Sequence, residues 1–309
     1  MTRVSTLGNY QSALLNLMAA QTRGLEAQKR ISTEKVAGDL AGYGRGAETL
    51  TALKAAQNRI HGFIESGEAV AARLKTQALA FDRIADGADG ARQAIAESLA
   101  AGRVDGLMLE IQSYFQTAQD GLNTKHQGRH LFSGGDTEIP PVTVTTLAEL
   151  AAAPDVASVF VNDRLATVSR LDETSMIQTG FLADDVGAEL FQIFRDIQDF
   201  HTGPNGPIDG QIDETVRDFL TTQLGRLRDT HINITDQAAR SGSIQARVDS
   251  ILSMHDDQRV ALQELIGSRT DADMAQAVTD LQLSQISIQA SAQVIAQLRT
   301  TSLLDLLRY

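Results

Sequence analysis

All five prolines of this 309-residue chain fall between Pro140 and Pro207. A proline inside a helix removes a backbone hydrogen bond and collides with the preceding turn, which costs about 3 kcal/mol. Residues 1–139 and 208–309 are therefore free to be helical, and the stretch between them is not. Helix at both ends and an irregular middle make a nested plan: terminal helices outermost, further helices inside them, and a small mixed insert at mid-chain.

The C-terminal flank carries the clearest period. Met274, Val278, Leu281, Gln285, Ile288, Ala292 and Ile295 follow alternating steps of four and three, the spacing of a coiled-coil seam. A thinner version runs through Leu7, Gln11, Leu14, Met18, Gln21, Leu25 and Gln28. Neither end has a wide apolar face, so each needs a partner. Charge favours pairing them with each other: residues 1–35 hold five basic side chains against two acidic, and residues 270–309 four acidic against two basic.

Between the ends, Leu50 to Phe81 predicts one long helix and about 91–127 another, with Asp86 to Gly90 and Gly102 to Gly106 as breaks. On the return, Ile212 to Thr230 and Ile244 to Gly267 are expected helices separated by Asn233 to Gly242. The β-branched runs Val142 to Thr146, Val159 to Asn162 and Leu165 to Val168 suggest short strands. A short helix is expected from Asp185 to Phe200, with Asp184 and Asp185 at its positive end, and Gly203 to Pro207 is a loop.

Composition narrows the function classes. The net charge of -12 argues against general nucleic-acid binding, which needs a basic surface. With no Cys there are no disulfides and no Cys-ligated zinc. No stretch reaches the roughly 20 apolar residues of a membrane span, and the run Leu14 to Ala20 has the flanks of an amphipathic helix rather than of a secretion signal. His126 and His130, four apart, would share a helix face, but the glutamate of a metalloprotease helix is missing. In His255-Asp256-Asp257 the side chains point about 100° apart and cannot converge on one ion. Gly42-Tyr-Gly-Arg-Gly46 lacks the order and the preceding strand of a dinucleotide loop. Nothing nominates a nucleophile, a metal or a cofactor, so a non-enzymatic role is expected.

The ends of the chain resemble the flagellin family, which includes filament flagellins and the hook-associated junction proteins. The run from Ala275 to Ser291, with Ser302-Leu-Leu-Asp-Leu-Leu307, is similar to that family's terminal helix. Ile31-Ser-Thr-Glu-Lys-Val36 and Leu40-Ala-Gly-Tyr43 resemble the exit from its first helix, although the usual proline-containing stretch is absent. Gly128-Arg-His-Leu-Phe-Ser-Gly-Gly-Asp-Thr137 resembles the junction proteins rather than the filament flagellins, as does the return from Val161 through Gly180-Phe181 to Phe194.

The resemblance implies a mainly α fold. Residues 1–35 and 270–309 would form a terminal coiled coil, 36–136 and 181–269 a helical inner domain, and 137–180 a small β-rich outer domain. It further implies a subunit exported unfolded through the flagellar type III channel into the extracellular flagellum, with termini that order only in the polymer. The implied partners are other copies, other axial proteins, and an export chaperone on Leu281 to Leu307. The implied assembly interface pairs Leu7, Leu14, Met18 and Leu25 with Val278, Leu281, Ile288, Ile295, Leu303 and Leu306. A filament flagellin remains open, as does a helical coiled-coil signalling protein.

Overall fold

The computed structural model describes the backbone of residues 2–306 and the side chains of residues 8–298. It is built from long helices: α1 (Thr2–Thr33), α2 (Ala47–Ala101), α3 (Leu107–Leu122), α4 (Leu147–Ala152), α5 (Ala183–Thr202), α6 (Glu214–Thr270) and α7 (Met274–Leu306). Two antiparallel ladders complete it, β1 (Lys125–His126) with β2 (Arg129–His130) and β3 (Val168–Arg170) with β4 (Met176–Gln178). The chain divides into two compact units, residues 1–60 with 257–309, and residues 61–256.

The first unit is made from both ends of the chain. After α1 the backbone turns through a 3-10 segment, Ala41–Gly46, in which Gly44 takes the left-handed φ of 52°. Gly42 to Gly46 is therefore a turn between helices. Asp273 starts α7 by accepting from the backbone N–H groups of Ala275 and Gln276, at 2.9 and 3.1 Å. This satisfies donors that the helix leaves without partners.

The second unit holds the main core. Phe81, Ile84 and Ile95 of α2, Ile111 and Phe115 of α3, Phe191 and Phe194 of α5, and Leu220 and Leu227 of α6 are fully buried together. Phe115 meets Phe191 and Phe194 at centroid distances of 5.1 and 5.6 Å. A smaller cluster packs Leu171 and Ile177 of the insert on Leu74 and Val248. There His255 is buried, stacked on Phe63 at 5.6 Å with Nε2 2.8 Å from the Leu171 carbonyl oxygen.

The structure corrects four expectations. α2 runs unbroken through Asp86 to Gly90, because the glycines serve close packing. A Cβ on Gly90 would stand 2.2 Å from the Tyr114 ring, and one on Gly87 2.8 Å from Ala118 Cβ. Likewise α6 continues through Asn233 to Gly242. Its polar residues are used across the core, with Gln77 Nε2 donating to buried Ser241 Oγ at 3.0 Å. The interruption expected at Gly102 to Gly106 is present, but residues 91–101 belong to the end of α2 and α3 stops at Leu122, short of residue 127. His126 and His130 consequently sit on a tight hairpin and not on one helix face.

The strand-rich middle is also sparser than its β-branched residues suggest. Val142 makes a single bridge to Phe160, and the paired strands fall at 168–170 and 176–178. Between them α4 begins at Thr146, whose Oγ1 accepts from Glu149 N–H, while Glu149 Oε2 accepts from Thr145 N–H. This reciprocal cap holds a one-turn helix in a segment that proline keeps irregular.

Candidate assembly interface

α1 and α7 lie side by side in the first unit. On α1 the buried positions are Ala13, Ala20, Gly24 and Ala27, with Leu17 half-buried between them. On α7 they are Ala277 and Ser284, with Leu281, Ser287, Ile288, Ser291 and Ile295 half-buried. The seam thus consists mainly of the smallest side chains. A Cβ on Gly24 would lie 3.4 Å from Ser284 Cβ, so the helices approach closely there. Helix separation follows the side chains at the contact, and small ones permit the near limit.

The N-terminal seam therefore runs one residue earlier than its large apolar residues indicate. Leu14, Met18 and Leu25 stand outside it, 41%, 57% and 68% exposed, and Val278 is exposed on the partner helix. Leu281, Ile288 and Ile295 do lie at the seam. The side chains of Leu7, Leu303 and Leu306 are outside the described residues. The overlooked signal was a seven-residue repeat of small residues, Ala13-Ala20-Ala27 facing Ala277-Ser284-Ser291. The contact selects small side chains, which leave no stripe of large apolar residues.

Polar contacts fix the pair at its base. Arg30 Nη2 meets Asp280 Oδ2 at 3.2 Å, and Lys35 Nζ meets Asp271 Oδ1 at 2.5 Å. Backbone hydrogen bonds bracket the second pair, Val36 N–H to Thr270 O at 2.8 Å and Ala272 N–H to Glu34 O at 2.9 Å. The Lys35 hydrogen bond, with that of Thr270, holds the Asp271 carboxyl below the usual carboxylate range. The same bond raises Lys35. These are the opposite charges that the two ends display in sequence. The Lys35–Asp271 pair is exposed and the Arg30–Asp280 pair only half-buried, so they set register and partner choice more than stability.

Outside the seam, large apolar residues face solvent: Leu14, Leu15, Met18 and Leu25 on α1, and Val278, Leu283, Ile286 and Val294 on α7. Burial of one methyl-sized group contributes about 0.8 kcal/mol, whereas burial of a Leu or Ile side chain contributes about 1.5–3 kcal/mol. The larger share of the hydrophobic stabilisation available to these helices thus lies on surfaces the chain leaves uncovered. Extended apolar exposure of this kind marks an interaction surface.

The segment 128–137, which carries the closer resemblance, is a fold element of the second unit. Phe132 is buried edge-on against Phe81 at 5.4 Å, and its carbonyl oxygen accepts from Ala183 N–H at 2.9 Å. Ser133 O accepts from Asp163 N–H at 2.9 Å. Gly134 has φ of 72°, and a Cβ there would meet Asp163 O at 2.3 Å. His130 is buried with Nδ1 2.9 Å from Asn123 O, and burial pushes its pKa down. The closure of the insert therefore requires Phe132 for its ring and Gly134 for its backbone, while Ser133 contributes its main-chain carbonyl. Among the described residues no group of three or more His, Asp or Glu could hold a metal, and no helix is long and apolar enough to cross a membrane.

Comparison with known proteins gives first the class. Residues 224–307, from within α6 to the end of α7, match the family model described as the bacterial flagellin C-terminal helical region, so this part of the chain is flagellin-like. The fold is also similar to those of solved structures. It is similar to a Vibrio parahaemolyticus protein described as flagellar hook-associated, with a TM-score of 0.60 at 14% identity, covering 75% of this chain and 99% of that one. It is also similar to Bacillus cereus FlgL, with a TM-score of 0.54 at 14% identity, covering 70% and 97%. No curated protein sequence matches the chain. The mainly α fold with small two-stranded sheets is that of these flagellar proteins.

Proposed function

We propose that this chain is an axial structural subunit of the bacterial flagellum that joins hook to filament, and that it acts by assembly rather than catalysis. The observation that carries the reading is the division of labour in α1 and α7. Small residues close the intrachain seam and large apolar residues are left for neighbours. The flagellin-like C-terminal region and the fold shared with hook-associated proteins supply the setting. In this mechanism Leu14, Met18 and Leu25 on one side, and Val278, Leu283 and Ile286 on the other, are buried by adjacent subunits. Contacts between unlike surfaces repeat without closing, which generates a tubular stack. Export through the type III channel precedes assembly, and a chaperone covering the apolar surface of α7 keeps the chain soluble until then.

The test combines substitution with location. Leu25→Asp with Ile286→Asp should abolish incorporation into flagella, while unfolding of residues 61–256 stays as in the parent chain. Gold-labelled antibody should mark one band at the boundary of hook and filament. Labelling along the filament would assign the chain to the filament instead. Normal incorporation of the double variant would remove the interface from these residues.

A further inference from the structure

The cleft between α2 and the β1–β2 hairpin holds a feature that the assembly reading does not use. Arg73 projects from α2 into a cleft of about 630 Å³ whose lining includes His126, Arg129, Thr137, Thr167 and Ser169. None of the lining residues is acidic, in a chain with 39 acidic and 27 basic side chains. The Arg73 guanidinium has no carboxylate partner among the described residues. Its hydrogen bonds run from Nη2 to the hydroxyls of Thr179 and Ser169, and its Nε is buried with no acceptor. Burial lowers its pKa with no opposing charge to offset the effect. A cation taken partly out of water without a counter-charge is costly, and a neutral hydroxyl replaces little of the lost solvation. Arg226, about a third exposed, shows the contrast: it pairs with both Glu189 and Asp196.

We infer that this cleft binds an oxyanion, held by the Arg73 guanidinium, with Arg129 as a second cation and the hydroxyls of Thr137 and Thr167 as donors at its wall. Nη2 is engaged by the two hydroxyls, whereas Nη1 makes no hydrogen bond among the described residues and is left to donate to a carboxylate, sulfate or phosphate oxygen. His126 adds a ring anchored through Nδ1 at 2.9 Å from Thr76 Oγ1, which orients Nε2 away from that contact. The arrangement needs no second copy of the chain, so it stands or falls apart from the assembly reading.

Titration of the purified full chain with sodium phosphate, followed by calorimetry and by the unfolding temperature at constant ionic strength against sodium chloride, tests the site. Sodium acetate in a parallel arm distinguishes a planar from a tetrahedral oxyanion. The expected result is saturable binding near one equivalent, weakened about tenfold or more in Arg73→Lys, which keeps the charge and loses the guanidinium, and in Arg129→Gln, whose exposed side chain can change without loss of fold. Phosphate and acetate effects equal to those of chloride, or binding retained undiminished in both variants, would overturn the inference.

Discussion

At the scale of single residues, glycine and histidine make the sharpest demands. Gly90 is inside a helix, where alanine would gain about 1 kcal/mol of propensity. Its Cβ would nevertheless stand 2.2 Å from the Tyr114 ring, so the ring must move. Gly90→Ala is expected to destabilise the second unit by a net of about 1–3 kcal/mol, read as a lower midpoint in urea unfolding. His130 gives a pH signature. Its folded pKa lies below its ordinary value, so it is neutral where the unfolded chain has begun to bind a proton. Its contribution is therefore present above about pH 6.5 and declines as pH falls through the depressed folded pKa. Unfolding midpoints taken between pH 7.5 and 5 should fall, and His130→Gln should flatten that slope. Residues of this kind were poorly legible in sequence. Gly90 and Ser241 look like helix breakers until the neighbour they accommodate is known.

Among the elements, legibility depended on how each one is stabilised. Long helices free of proline were readable because local propensity and tertiary packing agree over dozens of residues. The N-terminal seam was misplaced by one residue because its contact is made by alanine and glycine, whose burial leaves no apolar stripe. The resulting prediction is opposite to intuition. Ala20→Leu, which adds bulk to a fully buried position, should weaken the α1–α7 pair by about 1–3 kcal/mol, whereas Leu14→Ala should leave that pair intact. Protection of residues 8–33 from limited proteolysis in assembled subunits would separate the two. The Lys35–Asp271 clasp adds a pH window. Asp271 is depressed and Lys35 raised, so the contribution of the pair is complete between about pH 4 and about pH 10, and is lost as pH falls through the depressed Asp271 pKa or rises through the raised Lys35 pKa. Asp271→Asn should remove the acid limb of that dependence, with salt producing the same loss more gradually.

For the whole molecule, the order of the chain carries the lesson. Residues 61–256 are continuous and contain the main core, whereas residues 1–60 and 257–309 form a unit only by meeting. A protein cut to 61–256 should fold alone and unfold in one cooperative transition by calorimetry; a gradual, non-cooperative melt would contradict the independence of that core. The nesting was legible from proline placement and from the opposite charges of the two ends. The fold of the insert was not. Val142 to Thr146 has the β-branched residues of a strand, yet the chain spends them on a single bridge and a helix cap. Propensity describes what a segment tolerates, and here the contacts of Val142 with Asn123 and Phe160 accompany what it adopts.

The small-residue seam also separates two kinds of recognition that most helical proteins combine. In the proposed assembly the inward side of α1 selects the helix of its own chain, and the outward side selects the neighbours. The two are written on different residues. A chimera that exchanges only Leu14, Leu15, Met18 and Leu25 would then change its host without changing its fold.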